Sequence, residues 1–276
     1  MISRRLALGG LGAALITARA GATNPVAAPE VAGALIQGGW ARGKVVGRPS
    51  LSLDGQALTY DADGSFFLAF DRDAGPQAVL VADYGHGSLS RTLAIAPRGW
   101  PIEHIDAPFH PPAMPDADFM RIRSDELARI AAARAQQTGA QGWRQSFIWP
   151  AHGRVSGRFG AQRIYRGTPG AYHSGLDIAP GAGATYVAPA DGVVVLAAQT
   201  PFTLEGNLLM LDHGMGLNSA FLHAQRLLVR EGDRVSQGQP LGLVGMTGRA
   251  SGPHLHWSLR WHEARLDPLL IVPPAG

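Results

Sequence analysis

Apolar and polar positions alternate with a period of two along most of the chain. In the first third the alternation comes in short runs, at 41–47, 51–53, 57–60, 65–70, 77–84 and 89–96, with Asp54-Gly55, Asp63-Gly64 and Gly85-His86-Gly87 between them. Short alternating runs divided by turn formers predict antiparallel strands. Their spacing predicts a small Ig-like β-sandwich module over 34–97. Residues 98–146 read as a proline-rich linker followed by a helix. Asp116 or Asp118 can cap that helix, which should run to about Thr138 with Gly139 at its C′ position. Phe119, Met120, Ile122, Leu127 and Ile130 give it an apolar stripe suited to packing on a neighbour. From 147 onward the strand pattern returns, denser in glycine. Apolar runs follow Ala188-Pro189-Ala190-Asp191-Gly192 and Gly238-Gln239. The fold class expected is mainly β: an N-terminal sandwich module, a linker helix, and an antiparallel-sheet domain over 147–276.

The N-terminus changes how the charge is read. Met1-Ile2-Ser3-Arg4-Arg5, an apolar run from Leu6 to Ile16, and the small-residue sites Ala18-Arg19-Ala20 and Ala20-Gly21-Ala22 together predict a secretory signal peptide over 1–22. The apolar run is too short to span a bilayer, and no later apolar run reaches a spanning length. Residues 23–33 follow as a linker without periodicity. The formal charge of +3 counts three leader arginines and no leader acid, so the remainder is neutral and a nucleic-acid partner loses its electrostatic support. The expected location is outside the cytoplasm, with the periplasm favoured. The chain has no cysteine, which excludes disulfides, thiolate zinc sites and a lipidated cysteine. Its single lysine, Lys44, follows no phosphate loop, which excludes a P-loop NTPase.

Candidate chemistry is concentrated in the last third. In Gly252-Pro253-His254-Leu255-His256-Trp257 the two histidines stand at i and i+2 in a strand pattern, so both face one space while Leu255 and Trp257 pack behind. His173 and Asp177 in Tyr172-His173-Ser174-Gly175-Leu176-Asp177 are four apart. Fully extended, that separation spans roughly 13 Å, too far for two ligands of one ion. Gly175 and Pro180 argue against a helix, so a turn at Ser174-Gly175 must fold the histidine back, with Gly175 needed for backbone freedom. A third element, Ala220-Phe221-Leu222-His223-Ala224, places one more histidine on a strand. His213, beside a turn, reads as structural. His86, His104, His110 and His152 read as isolated and exposed. Tyr172 is a candidate for lining a groove, and Arg163 and Arg166 read as solvated surface.

His173-x-x-x-Asp177 followed by His254-Leu255-His256 resembles the M23 family of zinc metallopeptidases, the lysostaphin- or LytM-type peptidoglycan endopeptidases. Gly175-Leu176-Asp177-Ile178-Ala179, Ala188-Pro189-Ala190-Asp191-Gly192, Gly238-Gln239 and Thr247-Gly248 fit the same pattern in the same order. The resemblance covers about 148–270. It implies a LytM-like catalytic domain with Zn2+ held by His173, Asp177 and His256, a pattern of catalytic rather than structural zinc. It also implies that His223 and His254 stay off the metal, one as general base and one as stabiliser or proton donor, with the assignment between them open. The substrate implied is peptidoglycan, cut at amide bonds of its peptides or cross-links. Some family members lose ligands and act as regulators of other wall hydrolases. All five positions are filled here by the competent residue type.

Overall fold

The computed structural model describes residues 28–107, 116–198 and 200–274. The predicted signal segment 1–22 and His110 lie outside the described residues. Seven strands come first: β1 (Glu30–Gly33), β2 (Trp40–Lys44), β3 (Ser50–Leu53), β4 (Gln56–Leu58), β5 (Ser65–Ala69), β6 (Gln77–Asp83) and β7 (Ser88–Ala94). They form two antiparallel sheets, ordered β1-β2-β5 and β4-β3-β6-β7. Each predicted run becomes one of β2–β7. β1 corrects the reading of 23–33 as a linker: Glu30–Gly33 pairs with Ala41–Lys44. Four residues with one β-branched member show no usable alternation, so only the partner strand makes this segment a strand.

The strand β5 is buried on both faces, which is why Phe66, Phe67 and Leu68 run without a polar break. Phe66 and Leu68 belong to the module's own core. Phe67 stacks on Trp40 at 5.7 Å and meets Trp261 of the C-terminal domain at 6.4 Å. Trp40 Nε1 donates to the Leu270 carbonyl at 2.8 Å, and Arg98 pairs at 2.8 Å with Asp267, which is 2% exposed. The two β modules therefore share one apolar core.

The stretch between them is not a plain linker. β8 (Ile102–Ile105) pairs in parallel with a strand of the C-terminal domain, and the helix α1 (Ala117–Arg134) follows. Asp116 caps α1 by accepting the Phe119 amide at 2.7 Å. The helix ends before Thr138, with Ala135 as its C-cap, so Gly139 is not its C′ residue. Its apolar stripe is also corrected. Met120, Ile122 and Leu127 are exposed, whereas Glu126, Ile130 and Ala133 are buried. Ala133 lets the helix approach the sheet closely, and Glu126 is tolerated there because Arg123 and Thr203 satisfy its carboxylate.

The C-terminal domain contains β9 (Arg154–Gly157), β10 (Gln162–Tyr165), β11 (Thr168–Pro169), β12 (Leu176–Ala179), β13 (Thr185–Val187), β14 (Gly192–Ala197) and β15 (Asn207–Asp212). These are followed by β16 (Leu217–Ala224), β17 (Arg226–Leu227), β18 (Arg234–Val235), β19 (Pro240–Leu243), β20 (Leu255–Trp261) and β21 (Ala264–Leu266). The main sheet runs β18-β14-β15-β16-β20-β12-β9, with β21 on β20, and β8 joins β10 and β11 in a smaller sheet. Along β20, Leu255, Trp257, Leu259 and Trp261 are buried on one face. His256, Ser258 and Arg260 are half-buried on the other. α1 lies over this second face, with Ile130 and Ala133 against Leu208, Met210 and Ala220. One face of the main sheet thus carries both the helix and the histidine strand.

Candidate metal centre

Three strands bring the candidate residues together. In the antiparallel pairing of β12 with β20, Asp177 stands opposite His256. His173 precedes β12, and the chain bends at Gly175 to bring its ring back over the strand. His173 Nε2 lies 3.1 Å from Asp177 Oδ1 and 3.1 Å from His256 Nδ1, and His256 Nδ1 lies 2.9 Å from the same Asp177 oxygen. Two ring nitrogens and one carboxylate oxygen converge, and these three residues could hold a metal ion. The spacing suits one. Tetrahedral bonds of about 2.0–2.1 Å set ligand atoms roughly 3.3 Å apart. A cation would also satisfy three converging lone pairs that the two imidazoles cannot all serve as donors.

The expected turn is present, but its glycine acts differently from expectation. Gly175 is not in the left-handed region. A Cβ there would stand 2.6 Å from His256 Nε2 and 2.7 Å from the Trp257 carbonyl oxygen, so the requirement is space for the ring. Gly157, on the neighbouring β9, clears Asp177 in the same way: its Cβ would lie 2.4 Å from Asp177 Oδ2. Nothing in the sequence distinguishes Gly157 from the other glycines near it.

The electrostatics favour an anionic carboxylate. Burial alone would raise the Asp177 carboxyl, but hydrogen bonds from His173 and His256 and the charges of those rings hold it well below the usual carboxylate range. Burial works against a charge on His173, but the bond to Asp177 and its charge prevail and raise its pKa. Burial lowers His256, and the Asp177 bond opposes this only in part.

His223 and His254 stand beside this cluster. Their ring centroids are 4.9 Å apart, and His223 is 6.3 Å from the His256 ring. His223 Nδ1 donates to the Thr247 carbonyl at 2.8 Å, and His254 Nδ1 to the Gly252 carbonyl at 2.8 Å. Each bond sets the tautomer and leaves Nε2 as the free nitrogen. His254 Nε2 comes no closer than 3.7 Å to Asp177 Oδ1, farther than the rings of His173 and His256. Burial, together with the neighbouring His254 and His256, lowers His223. His223 has a left-handed backbone, φ +66°, which is strained for a residue with a side chain. Its amide is held by the Glu205 carbonyl at 2.9 Å. Glu205 in turn takes two bonds from Arg123 of α1, at 2.6 and 2.7 Å. No local pattern links Arg123 to His223; the connection is entirely tertiary.

His213 is fully buried. Its Nδ1 donates to the Asp191 carbonyl at 2.8 Å, and its Nε2 accepts from Ser219 Oγ at 2.7 Å. Ser219 also accepts from Trp257 Nε1 at 3.2 Å, so His213 braces β20 from behind. His86, His104 and His152 are exposed and apart from the cluster. Tyr172 lines a cleft of about 1120 Å³ beside His173, together with Ile102 and Glu103 of β8. Arg163 and Arg166 are exposed, and they pair with Glu103 at 2.7 Å and Asp106 at 2.9 Å, tying β8 to β10. The segment 98–146 therefore walls the site on two sides, with β8 at one cleft and α1 at a second pocket beside His256.

An antiparallel sheet with a two-histidine, one-carboxylate cluster and two further histidines at its edge defines the class, a metallopeptidase-like sheet domain. Residues 171–268 match peptidase family M23. The peptidoglycan DD-endopeptidase ShyA of Vibrio cholerae is 39% identical over 107 residues, 38% of this chain and 24% of that protein. The murein hydrolase activator NlpD of Escherichia coli is 34% identical over 125 residues, 45% of this chain and 31% of that protein. The chain thus spans about a quarter to a third of the length of these curated relatives. A Pseudomonas aeruginosa crystal structure described as an M23 peptidase superposes with a TM-score of 0.67 at 26% identity, covering 86% of this chain and 94% of that one. That superposition extends through the N-terminal β strands as well as the LytM-like sheet.

Proposed function

We propose that the protein is an exported zinc-dependent endopeptidase that hydrolyses amide bonds in peptidoglycan peptides or cross-links. The observation that carries this reading is the convergence of His173, Asp177 and His256 with two off-cluster histidines whose free nitrogens lie beside them. His173, Asp177 and His256 would hold the zinc. Zinc bound there supplies a Lewis acid that acidifies water and polarises an amide carbonyl. His223 and His254 provide the proton chemistry. With Nδ1 of each committed to a backbone carbonyl, both present Nε2 as a proton acceptor, and a ring that has taken up a proton there can return it as a donor. Asp177, held anionic, would supply the charge that offsets the ion, and the bond of His173 Nδ1 to the Arg158 carbonyl at 3.0 Å leaves its Nε2 to face the cluster. The cleft beside His173 gives an extended peptide room to lie across the cluster.

The resemblance to a murein hydrolase activator supports a second reading, a wall-binding regulator that keeps the fold without turnover. One experiment separates the two. Purified zinc-loaded protein is incubated with isolated sacculi, and released peptides are identified by mass. Release that a chelator abolishes and zinc restores supports the endopeptidase. A folded, zinc-loaded sample that releases nothing from sacculi of several wall chemistries rejects it in favour of the regulator.

A further inference from the structure

A second pocket opens on the helix side of the metal centre. It measures about 230 Å³, and Ser174 and His256 form the rim it shares with the cluster. That is below the roughly 300–1,000 Å³ that encloses a whole small ligand, so it suits one group of a larger one. Arg123, Leu127, Ile130 and Arg134 line it from a single stripe of α1, and Arg260 and Arg265 line it from the sheet. Four guanidinium groups face it against one carboxylate, Glu205, and that carboxylate is already engaged by Arg123.

The other three guanidinium groups differ in their partners. Arg260 donates to the His262 carbonyl and to Glu263. Arg265 donates to the Tyr172 hydroxyl at 3.2 Å, which places it between this pocket and the cleft beside His173. Arg134 is half-buried, and among the described residues it has neither an ion pair nor a hydrogen bond. Burial and the neighbouring Arg260 and Arg265 make its charge costly, lowering its pKa to about 10. A desolvated guanidinium crowded by like charges is stabilised by an anion with two acceptors, and a carboxylate matches its fork.

We propose that this pocket is a carboxylate subsite for an acidic peptide whose amide lies at the His173–Asp177–His256 cluster, with Arg134 as the residue that receives the carboxylate. This rests on the endopeptidase reading and extends it to a substrate class: peptides with a free carboxylate on the α1 side of the scissile bond. α1 lies outside residues 171–268, so the subsite is built by the segment that precedes the family domain.

The test is a binding measurement on the full zinc-loaded chain carrying His254→Ala, so that the peptide is not consumed. The probes are soluble cross-linked muropeptides, either native or with their free carboxylates converted to amides. Calorimetry should give at least tenfold tighter binding of the native form. Adding Arg134→Gln should shrink that preference to within twofold, and Arg265→Gln should reduce it less. Equal binding of the two probes, no binding of either, or a tenfold preference retained by Arg134→Gln overturns the proposal. If Arg134→Gln does not melt cooperatively, Arg134→Lys decides: it keeps the charge but not the fork, and it must weaken native binding at least threefold. Wild-type protein that releases nothing from sacculi while the binding preference holds sinks the endopeptidase reading and leaves the subsite standing. Release without any preference does the reverse.

Discussion

Replacing Arg123 with methionine tests whether α1 is a working part of the site. Arg123 bonds Glu205 at 2.6 and 2.7 Å and Glu126 at 3.0 Å, and the three side chains are 15%, 16% and 9% exposed. Methionine keeps the aliphatic stem and removes the charge, leaving two carboxylates facing each other. One such pair at about 4 Å is worth roughly 4 kcal/mol at an effective dielectric of 20. Removing one partner of a buried pair costs about 3–5 kcal/mol. Glu126 keeps the Thr203 amide and hydroxyl, both at 2.6 Å, and Glu205 retains some contact with water. These place Arg123→Met at the low end, about 3 kcal/mol at pH 7. Urea unfolding followed by tryptophan fluorescence measures this, and a cycle with Glu205→Gln isolates the pair: the second substitution should recover at least about 1.5 kcal/mol in the methionine background. The consequence for function passes through the Glu205 carbonyl, which holds the strained backbone of His223. Sacculus hydrolysis should therefore fall while zinc content is unchanged. A loss of stability under about 1 kcal/mol, or a coupling energy near zero, would refute the view that this pair clamps α1 to the Glu205 segment that holds His223.

Three further outcomes follow from the same geometry. His254→Ala should retain stoichiometric zinc by elemental analysis while hydrolysis drops by roughly 10²- to 10⁴-fold; loss of zinc instead would move His254 into the coordination set. Gly175→Ala should weaken zinc binding by about 10- to 100-fold in a chelator competition, because its Cβ would displace the His256 ring; unchanged affinity would show the ring has room. His213 is held down to about 4 by burial, against an ordinary value near 6.5. Below pH 6.5 the unfolded chain takes up a proton that the folded one refuses. This residue therefore costs stability progressively as pH falls from 6.5 to 4, by about 3 kcal/mol in all, and nothing above that window. NMR titration should show its ring resonances flat from pH 8 to 5, and a midpoint near 6.5 would contradict its burial as a neutral acceptor of the Ser219 hydroxyl.

How much of this was legible before folding follows from the range of each interaction. The facing of His254 and His256 could be read directly, because a strand's period of two places i and i+2 on one face whatever the rest of the chain does. Turn residues likewise announced β2–β7, since Asp-Gly and Gly-rich tripeptides act locally. The return of His173 over Asp177 was predictable as a necessity of reach, though the reason for Gly175 was not: the space it leaves is for a ring 81 positions away in the sequence. The strand β1 and the parallel strand β8 were unreadable because their partners, not their composition, make them strands. The buried face of α1 was misread for the same reason. Glu126 goes inward and Leu127 outward because Arg123, Thr203 and Glu205 meet there, and hydropathy carries no record of an ion pair closed by a loop some 80 residues on. Residue type and short-range periodicity were thus enough to name five candidate side chains and the strands that bear or adjoin them. The distances among those side chains, the brace behind Trp257, and the helix that walls the centre depend on contacts between distant segments, which form only when the chain buries its two β modules against each other.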